Sequence, residues 1–379
     1  MFKYKCINNI AEIGLRRFPE GFEQVGETDA ADAILVRSAK MHDMVFEPEL
    51  KAIARAGAGV NNIPLERCAE EGIVVFNSPG ANANAVKELF VFSAILSLRD
   101  VVGGIEWTRA NASNPDIAEL TEKEKKRFVG HEVIGKKLGV LGLGNIGAKV
   151  ANIAIELGME VMGYDAFLND AMKAALKPQV KIAEGLDEIA AFADMITVHV
   201  PAMPSTAGYI GEDFLSKAND GLVVINLARD TLVDAAALKA AMETGRVSRY
   251  ICDFPTAETA VLPGTILIPH LGASTEEAEE NCAIMAVDEL VEFLVNGNII
   301  NSVNFPRVDM GPKNGTRVTV IHKPSLEASK LAELYKAGGF NITDMTSKVR
   351  DNVAYTVFDG TGEAADVSAE GIIRTRVLK

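Results

Sequence analysis

The hexapeptide Gly142-Leu143-Gly144-Asn145-Ile146-Gly147 lies between the apolar run Leu138-Gly139-Val140-Leu141 and a helical pattern over 148–157. Glycine spacing alone is weak evidence. A strand before it and a helix after it are what a pyrophosphate-binding turn requires. The first glycine makes the tight turn, the second lets the pyrophosphate reach the backbone, and the third lets helix and strand pack closely. The helix N-terminus adds unpaired N–H groups and the positive end of a dipole. The next strand pattern, Glu160–Tyr164, runs into Asp165, 18 residues beyond Gly147. A carboxylate there accepts hydrogen bonds from ribose hydroxyls and repels a 2′-phosphate, and no arginine follows at once. NAD is therefore expected rather than NADP.

Buried-strand patterns recur at Lys137–Leu141, Glu160–Tyr164, 195–200, Leu222–Asn226, 249–254 and 266–268, with helices between them. Six such patterns describe a doubly wound parallel sheet. The first hundred residues repeat the theme at 6–7, 34–36, 53–55 and 74–76, with helix-length patterns such as 49–54 and 64–71. A second parallel sheet is expected there. Helical patterns over 86–109 and 275–296 are long enough to carry the chain between domains. From Thr316 the pattern becomes βαββ over 317–321, 325–337, 342–349 and 353–358, followed by a further strand pattern at Ile372–Leu378. The expected fold class is α/β, with two doubly wound Rossmann- or flavodoxin-like domains and a small α+β C-terminal domain. The expected division is a substrate-binding domain over 1–95 and 288–310, an NAD-binding domain over 96–287, and a module over 316–379.

At 379 residues the chain exceeds what one core organises. No run approaches the ~20 apolar residues of a membrane helix, and the basic start Met1-Phe2-Lys3-Tyr4-Lys5-Cys6 lacks an apolar export region. Cysteines 6, 68, 252 and 282 have no metal-ligand spacing and read as reduced thiols, so a cytoplasmic setting and no metal are expected. The net charge of −14 argues against nucleic acid as partner. It also means that an anionic substrate needs a local cationic pocket, for which Arg37, Arg55 and Arg229 are candidates.

Hydride transfer from an alcohol carbon needs a base for the hydroxyl proton and a clamp for the carboxylate. Arg229, Glu258 and His270 each follow a strand pattern, and open α/β sheets build their sites at carboxyl strand ends. An imidazole titrates near physiological pH, which suits His270 as acid/base. Glu258 would orient the ring, and Arg229 would bind a carboxylate through two N–H groups. Taken singly, His270 also reads as a capping or core histidine and Arg229 as a surface ion pair; the shared strand-end placement lifts them. His199 also closes a strand, and spacing does not exclude it.

The motifs Arg55 to Ile63, Asn77 to Glu88, Gly142 to Gly147, His199-Val200-Pro201, Asn226 to Arg229, Asp253 to Glu258 and Pro269 to Thr275 together resemble the D-isomer-specific 2-hydroxyacid dehydrogenases over essentially the whole chain. The resemblance implies catalytic roles for Arg229, Glu258 and His270, and puts His199, Val200 and Pro201 on the cofactor side. It implies further NAD contacts at Ser78, Gly142, Gly144, Asn145, Ile146, Gly147, Asp165, Thr206, Leu227, Ala228, Arg229, Asp253, His270, Gly272 and Ala273. Substrate contacts are implied at Arg37, Ser38, Arg55, Ala58, Gly59 and Asn82, with Arg37 at a phosphate end.

Within the family the expected substrate is 3-phosphoglycerate, oxidised as the first step of L-serine biosynthesis. Hydroxypyruvate or glyoxylate reduction, or D-lactate oxidation, is the nearest alternative; an NAD-sensing binding protein without catalysis is an alternative of another class. The tail resembles an ACT regulatory domain, with departures. The segment His322-Lys323-Pro324-Ser325-Leu326 is shorter than the usual ligand loop and lacks its Asn and Gly, the second helix is reduced to about 366–371, and Asn341 remains. These departures argue against serine sensing, and dimerisation is at least as strong an expectation for it. Asn61-Asn62 stands where the family has Asp-Asn. A homodimer or homotetramer is expected, its cofactor domains packed through the helix starting near Val86.

Overall fold

The computed structural model describes residues 1–364 and 367–379. The chain forms two compact units, Met1–Asn82 with Glu276–Lys379, and Ala83–Thr275. These divisions fall before the expected 95/96 and 287/288 borders, and the C-terminal module groups with the first unit.

The first unit holds a parallel sheet of β1 (Phe2–Cys6), β2 (Phe22–Gln24), β3 (Ala33–Val36), β4 (Ala52–Arg55) and β5 (Val74–Phe76), in the order β2-β1-β3-β4-β5. Strands 3 and 5 are buried at every residue, as a parallel sheet covered on both faces demands. The helix Glu276–Val291 presents Cys282, Ala283, Ala286, Val287 and Leu290 to this core. The short helix Glu12–Leu15 meets it so closely that a Cβ on Gly14 would lie 2.6 Å from Ala283. The expected helix over 49–54 is absent: residues 52–55 are β4, whose small residues Ala52 and Ala54 pair between two buried neighbours.

The second unit is built on β6 (Lys137–Leu141), β7 (Glu160–Tyr164), β8 (Lys181–Ile182), β9 (Met195–Val198), β10 (Leu222–Asn226), β11 (Val247–Cys252) and β12 (Thr265–Leu267). All neighbours are parallel, in the order β12-β11-β10-β9-β6-β7-β8. Seven strands replace the expected six because β8 spans two exposed residues, too few for a buried pattern. Strand direction reverses its winding between β6 and β9, the switch point where such sheets bind ligands. The pairing is level there: Leu141 faces both Tyr164 and Val198, Asn226 faces Val198 and Cys252, and Cys252 faces Leu267. The residues just beyond these six of the seven strands therefore line one edge.

The expected single helix over 86–109 is two, Ala83–Leu98 and Val101–Ala110. Asp100 makes the break, its carboxylate accepting from Gly103 N at 3.2 Å as an N-cap. Among the described residues no helix is long and apolar enough to cross a membrane.

The module of β13 (Thr316–His322), β14 (Asn341–Arg350), β15 (Val353–Thr361) and β16 (Ile372–Leu378) is antiparallel, ordered β14-β15-β13-β16. Its helix Ala328–Ala337 lays Leu331 and Tyr335 on Val318, Val320 and Phe358. The opposite face, with Ile321, Tyr355 and Val357, joins the core of the first sheet. Two buried arginines fasten it. Arg317 makes a forked pair with Asp359 at 2.6 and 2.7 Å and donates to the carbonyls of Asn296 and Gly311. Arg376 donates to the carbonyls of Phe293 and Leu294 in the last turn before Gly297, where helix ends need outside donors; the Phe293 carbonyl also accepts from Gly297 N at 2.9 Å. Of the expected second helix over 366–371, Asp366 lies outside the described residues and 367–371 form no helix.

Candidate active site

The three glycines of the β6 turn differ in what surrounds them. Gly142 has φ +92°, and a Cβ there would lie 2.8 Å from the His199 carbonyl. A Cβ on Gly147 would collide with Gly142 O at 1.8 Å. At Gly144 a Cβ would meet nothing within 4 Å. Two glycines are thus required by the chain itself, while the middle one faces open space at the N-terminus of the helix Asn145–Glu156. That is the clearance a pyrophosphate needs against backbone N–H groups. Asn145 is exposed and Ile146 half-buried at this helix start. Asp165 holds the turn from β7, its Oδ2 accepting from Leu143 N and its Oδ1 from Phe167 N, each at 2.8 Å. The residues present fit a dinucleotide.

At the end of β9, His199 shares a 2.9 Å hydrogen bond with Thr197 Oγ1, and burial pushes its imidazole down to about 3. The ring is neutral at physiological pH, unsuited to cycling a proton. Val200 is half-buried, Pro201 is exposed, and Thr206 ties the loop by donating to Pro201 O at 2.7 Å and accepting from Met203 N.

Beyond β10, Leu227 is buried while Ala228 and Arg229 are half-buried. Asn226, fully buried, forms this turn: its Oδ1 accepts from Ala228 N and its Nδ2 donates to Arg229 O at 2.7 Å. The guanidinium donates to Ala228 O at 2.6 Å and lies over the Phe254 ring, with Cζ 4.9 Å from the centroid. Burial lowers its pKa, opposed by Asp230 and Asp253. Beyond β12, His270 is exposed and holds φ +56°, a conformation L residues rarely adopt. Asp253 holds it there. Its carbonyl accepts from His270 N at 3.0 Å, and its buried carboxylate accepts from Leu271 N at 2.7 Å and Gly272 N at 2.8 Å. Burial raises the Asp253 pKa, countered by those two N–H groups and by the His270 and Arg229 charges. Gly272 is buried against this carboxylate, and Ala273 is half-buried behind it.

His270 also packs its ring on Phe254, centroids 4.4 Å apart and planes at 48°. The structure thus brings Arg229 and His270 to one aromatic ring. Glu258 lies in the short helix Ala257–Ala260, exposed, its carboxyl pulled below the ordinary range by its own backbone N–H and the Thr256 hydroxyl.

The residues expected at the substrate belong to the first unit. Asn8 pins their loop, its Oδ1 accepting from Arg37 N, Ser38 N and Ala39 N at 2.9–3.0 Å. Arg37 forms an ion pair with Glu279, and Arg55 Nε donates to Arg37 O at 2.9 Å. Gly57 has φ +151°, Ala58 accepts through its carbonyl from the Asn77 amide at 2.5 Å, and Gly59 is half-buried. Asn82 Oδ1 is buried with no hydrogen-bond partner among the described residues. Ser78, expected at the cofactor, is fully buried and donates to the carbonyls of Cys282 at 2.8 Å and Arg55 at 3.1 Å. Its hydroxyl is committed to the framework. Asn62 is likewise structural, donating to Ala39 O.

Residues 93–272 match the family described as D-isomer specific 2-hydroxyacid dehydrogenase, NAD binding domain. A D-3-phosphoglycerate dehydrogenase of Haemophilus influenzae is 31% identical over 351 residues, covering 87% of this chain and 82% of that protein. One from Methanocaldococcus jannaschii is also 31% identical, over 81% of this chain but 59% of its own length. Among solved structures, the NAD+-bound 3-phosphoglycerate dehydrogenase of Entamoeba histolytica superposes with a TM-score of 0.62 at 27% identity, covering 80% of this chain and 98% of that one.

Proposed function

The chain belongs to the D-isomer-specific 2-hydroxyacid dehydrogenase family and is an NAD-dependent dehydrogenase, and from that premise we propose that it oxidises 3-phospho-D-glycerate to 3-phosphohydroxypyruvate, the entry to L-serine synthesis. The observation that carries the chemistry is the meeting of Arg229 and His270 on Phe254, at the strand-end edge that also holds the glycine turn. Bound NAD supplies the hydride acceptor.

In this reading Arg229 binds the substrate carboxylate and polarises the C2 oxygen. His270 takes the C2 hydroxyl proton as hydride leaves the same carbon, and returns it in the reverse direction. Glu258 is the orienting partner of the imidazole. Ser38, Arg55, Ala58, Gly59 and Asn82 bind the substrate with Arg37, which takes the phosphate. Asp165 takes the ribose hydroxyls, and His199 to Pro201, Thr206, Leu227 and Ala228 border the cofactor. The C-terminal module supports a homo-oligomer.

His270→Ala should lose most turnover, by about 100-fold or more, while NADH binding followed by fluorescence stays intact. Retained turnover would refute the role. One observation favours a second reading: Arg37 already carries a carboxylate partner in Glu279. That pairing suits an unphosphorylated substrate, as in hydroxypyruvate or glyoxylate reduction. A pure NAD sensor has no use for a proton-transfer group, and turnover by the wild type excludes it.

A further inference from the structure

Phe254 is one of four residues between the end of β11 and the helix Ala257–Ala260, a connection that carries more structure than a loop requires. Its own N–H donates to Cys252 Sγ at 3.2 Å, and the preceding Asp253 is locked by the two N–H groups of residues 271 and 272. The ring is therefore anchored on the strand, and two chemically dissimilar side chains rest on it. The Arg229 guanidinium lies 4.9 Å from its centroid and the His270 imidazole 4.4 Å.

Arg229 forms no salt bridge among the described residues, and its turn is set by Asn226. An arginine carries about 2 kcal/mol of rotamer entropy when unrestrained. A planar guanidinium over an aromatic face is attracted by the ring quadrupole and loses that freedom in one defined plane. An imidazole packed against the same ring is restricted in the same way by aromatic contact.

We propose that Phe254 is a positioning residue that sets the planes of Arg229 and His270 together, so that the carboxylate clamp and the proton acceptor keep a fixed relation to one substrate. This inference rests on the roles proposed above for Arg229 and His270. It predicts that one apolar side chain, touching neither bond being made nor bond being broken, governs both substrate affinity and turnover.

The test compares Phe254→Leu with Phe254→Tyr in the full-length protein, using 3-phosphoglycerate and D-glycerate with NAD, and includes His270→Ala. Phe254→Leu removes the face that holds both groups; Phe254→Tyr retains it. The expected result for Leu is a kcat lower by about 10- to 100-fold, since small displacements of reacting groups cost that much, and a raised KM for the hydroxy acid. NADH affinity and Tm should stay near wild type, and Phe254→Tyr should restore most of both constants. If Leu disturbs Tm or NADH binding, Phe254→Met, which nearly conserves volume, takes its place with the same expectation. Wild-type kcat and KM in the Leu or Met variant would overturn the inference, as would equal losses in Tyr and Leu. Turnover retained in His270→Ala would instead overturn the parent reading; turnover lost there with Phe254→Leu unaffected would overturn this inference alone.

Discussion

Arg229 and Arg37 are the two arginines expected to hold an anion, one in each unit, and they are kept in opposite ways. Arg229 is half-buried, donates to a backbone carbonyl, and rests on an aromatic ring. Arg37 is 43% exposed in its side chain and paired with Glu279, itself 41% exposed. A guanidinium held by a ring and a carbonyl keeps its charge available to an incoming carboxylate. One held by a carboxylate must exchange partners first. Magnitudes decide whether it can: an exposed ion pair is worth about 0–1 kcal/mol, whereas charge-assisted bonds to a bound anion contribute roughly 1.5–3 kcal/mol each. A phosphate can therefore displace Glu279, at the expense of part of its affinity.

The comparison breaks first at Arg229. Arg229→Gln should lower kcat/KM by about 100- to 1,000-fold, comparable to the loss of a preorganised donor at a developing charge. Steady-state kinetics checks this, and a change below tenfold would mean the clamp lies elsewhere.

A third ionisable group, Glu289, sharpens the contrast because no cation pairs with it among the described residues. Glu289 is buried, receives only the Asn301 amide at 2.7 Å, and leaves Oε2 without a hydrogen-bond partner among the described residues. Burial pushes its carboxyl up to about 8. Its folded pKa is raised above the ordinary value, so the stability it allows is complete below about pH 4.5 and is lost as pH rises through about 8. Glu289→Gln should match the wild-type Tm near pH 5 and exceed it by roughly 5 °C near pH 9, read by thermal unfolding at both. Equal Tm differences at the two pH values would contradict a buried neutral carboxyl.

The smallest effect belongs to the exposed pair. Glu279→Gln frees Arg37 and should raise kcat/KM for 3-phosphoglycerate by about threefold, leaving D-glycerate unchanged. An equal change for both substrates would detach Arg37 from the phosphate.

What was legible in the chain divides along the same line. The glycine turn, Asp165 and the strand-end placement of Arg229 and His270 were readable because each depends on a few adjacent residues, apolar runs and spacing. The kink at Asp100 was readable in principle, since an aspartate inside a helical pattern competes for backbone N–H groups. Partners brought together by the fold were not. Glu279 is 242 positions from Arg37, and nothing near either names the other. Spacing does not reveal that Asn8 and Asn226 each shape the loop that carries an arginine. The left-handed backbone of His270 has no glycine to announce it, and its support comes from Asp253 across the strand ends. Nothing beside Arg317 or Arg376 in the sequence marks them as buried, because their carbonyl partners are supplied by residues 293–311.

Initial NADH formation by the wild-type protein with 3-phosphoglycerate, D-glycerate and D-lactate at matched concentrations tests the central assignment most directly. The proposed function predicts that 3-phosphoglycerate is oxidised with a kcat/KM at least about tenfold above the other two, the value of one charge-assisted bond. Equal rates on all three would contradict a phosphate-reading site and return the chain to the wider group of 2-hydroxyacid dehydrogenases.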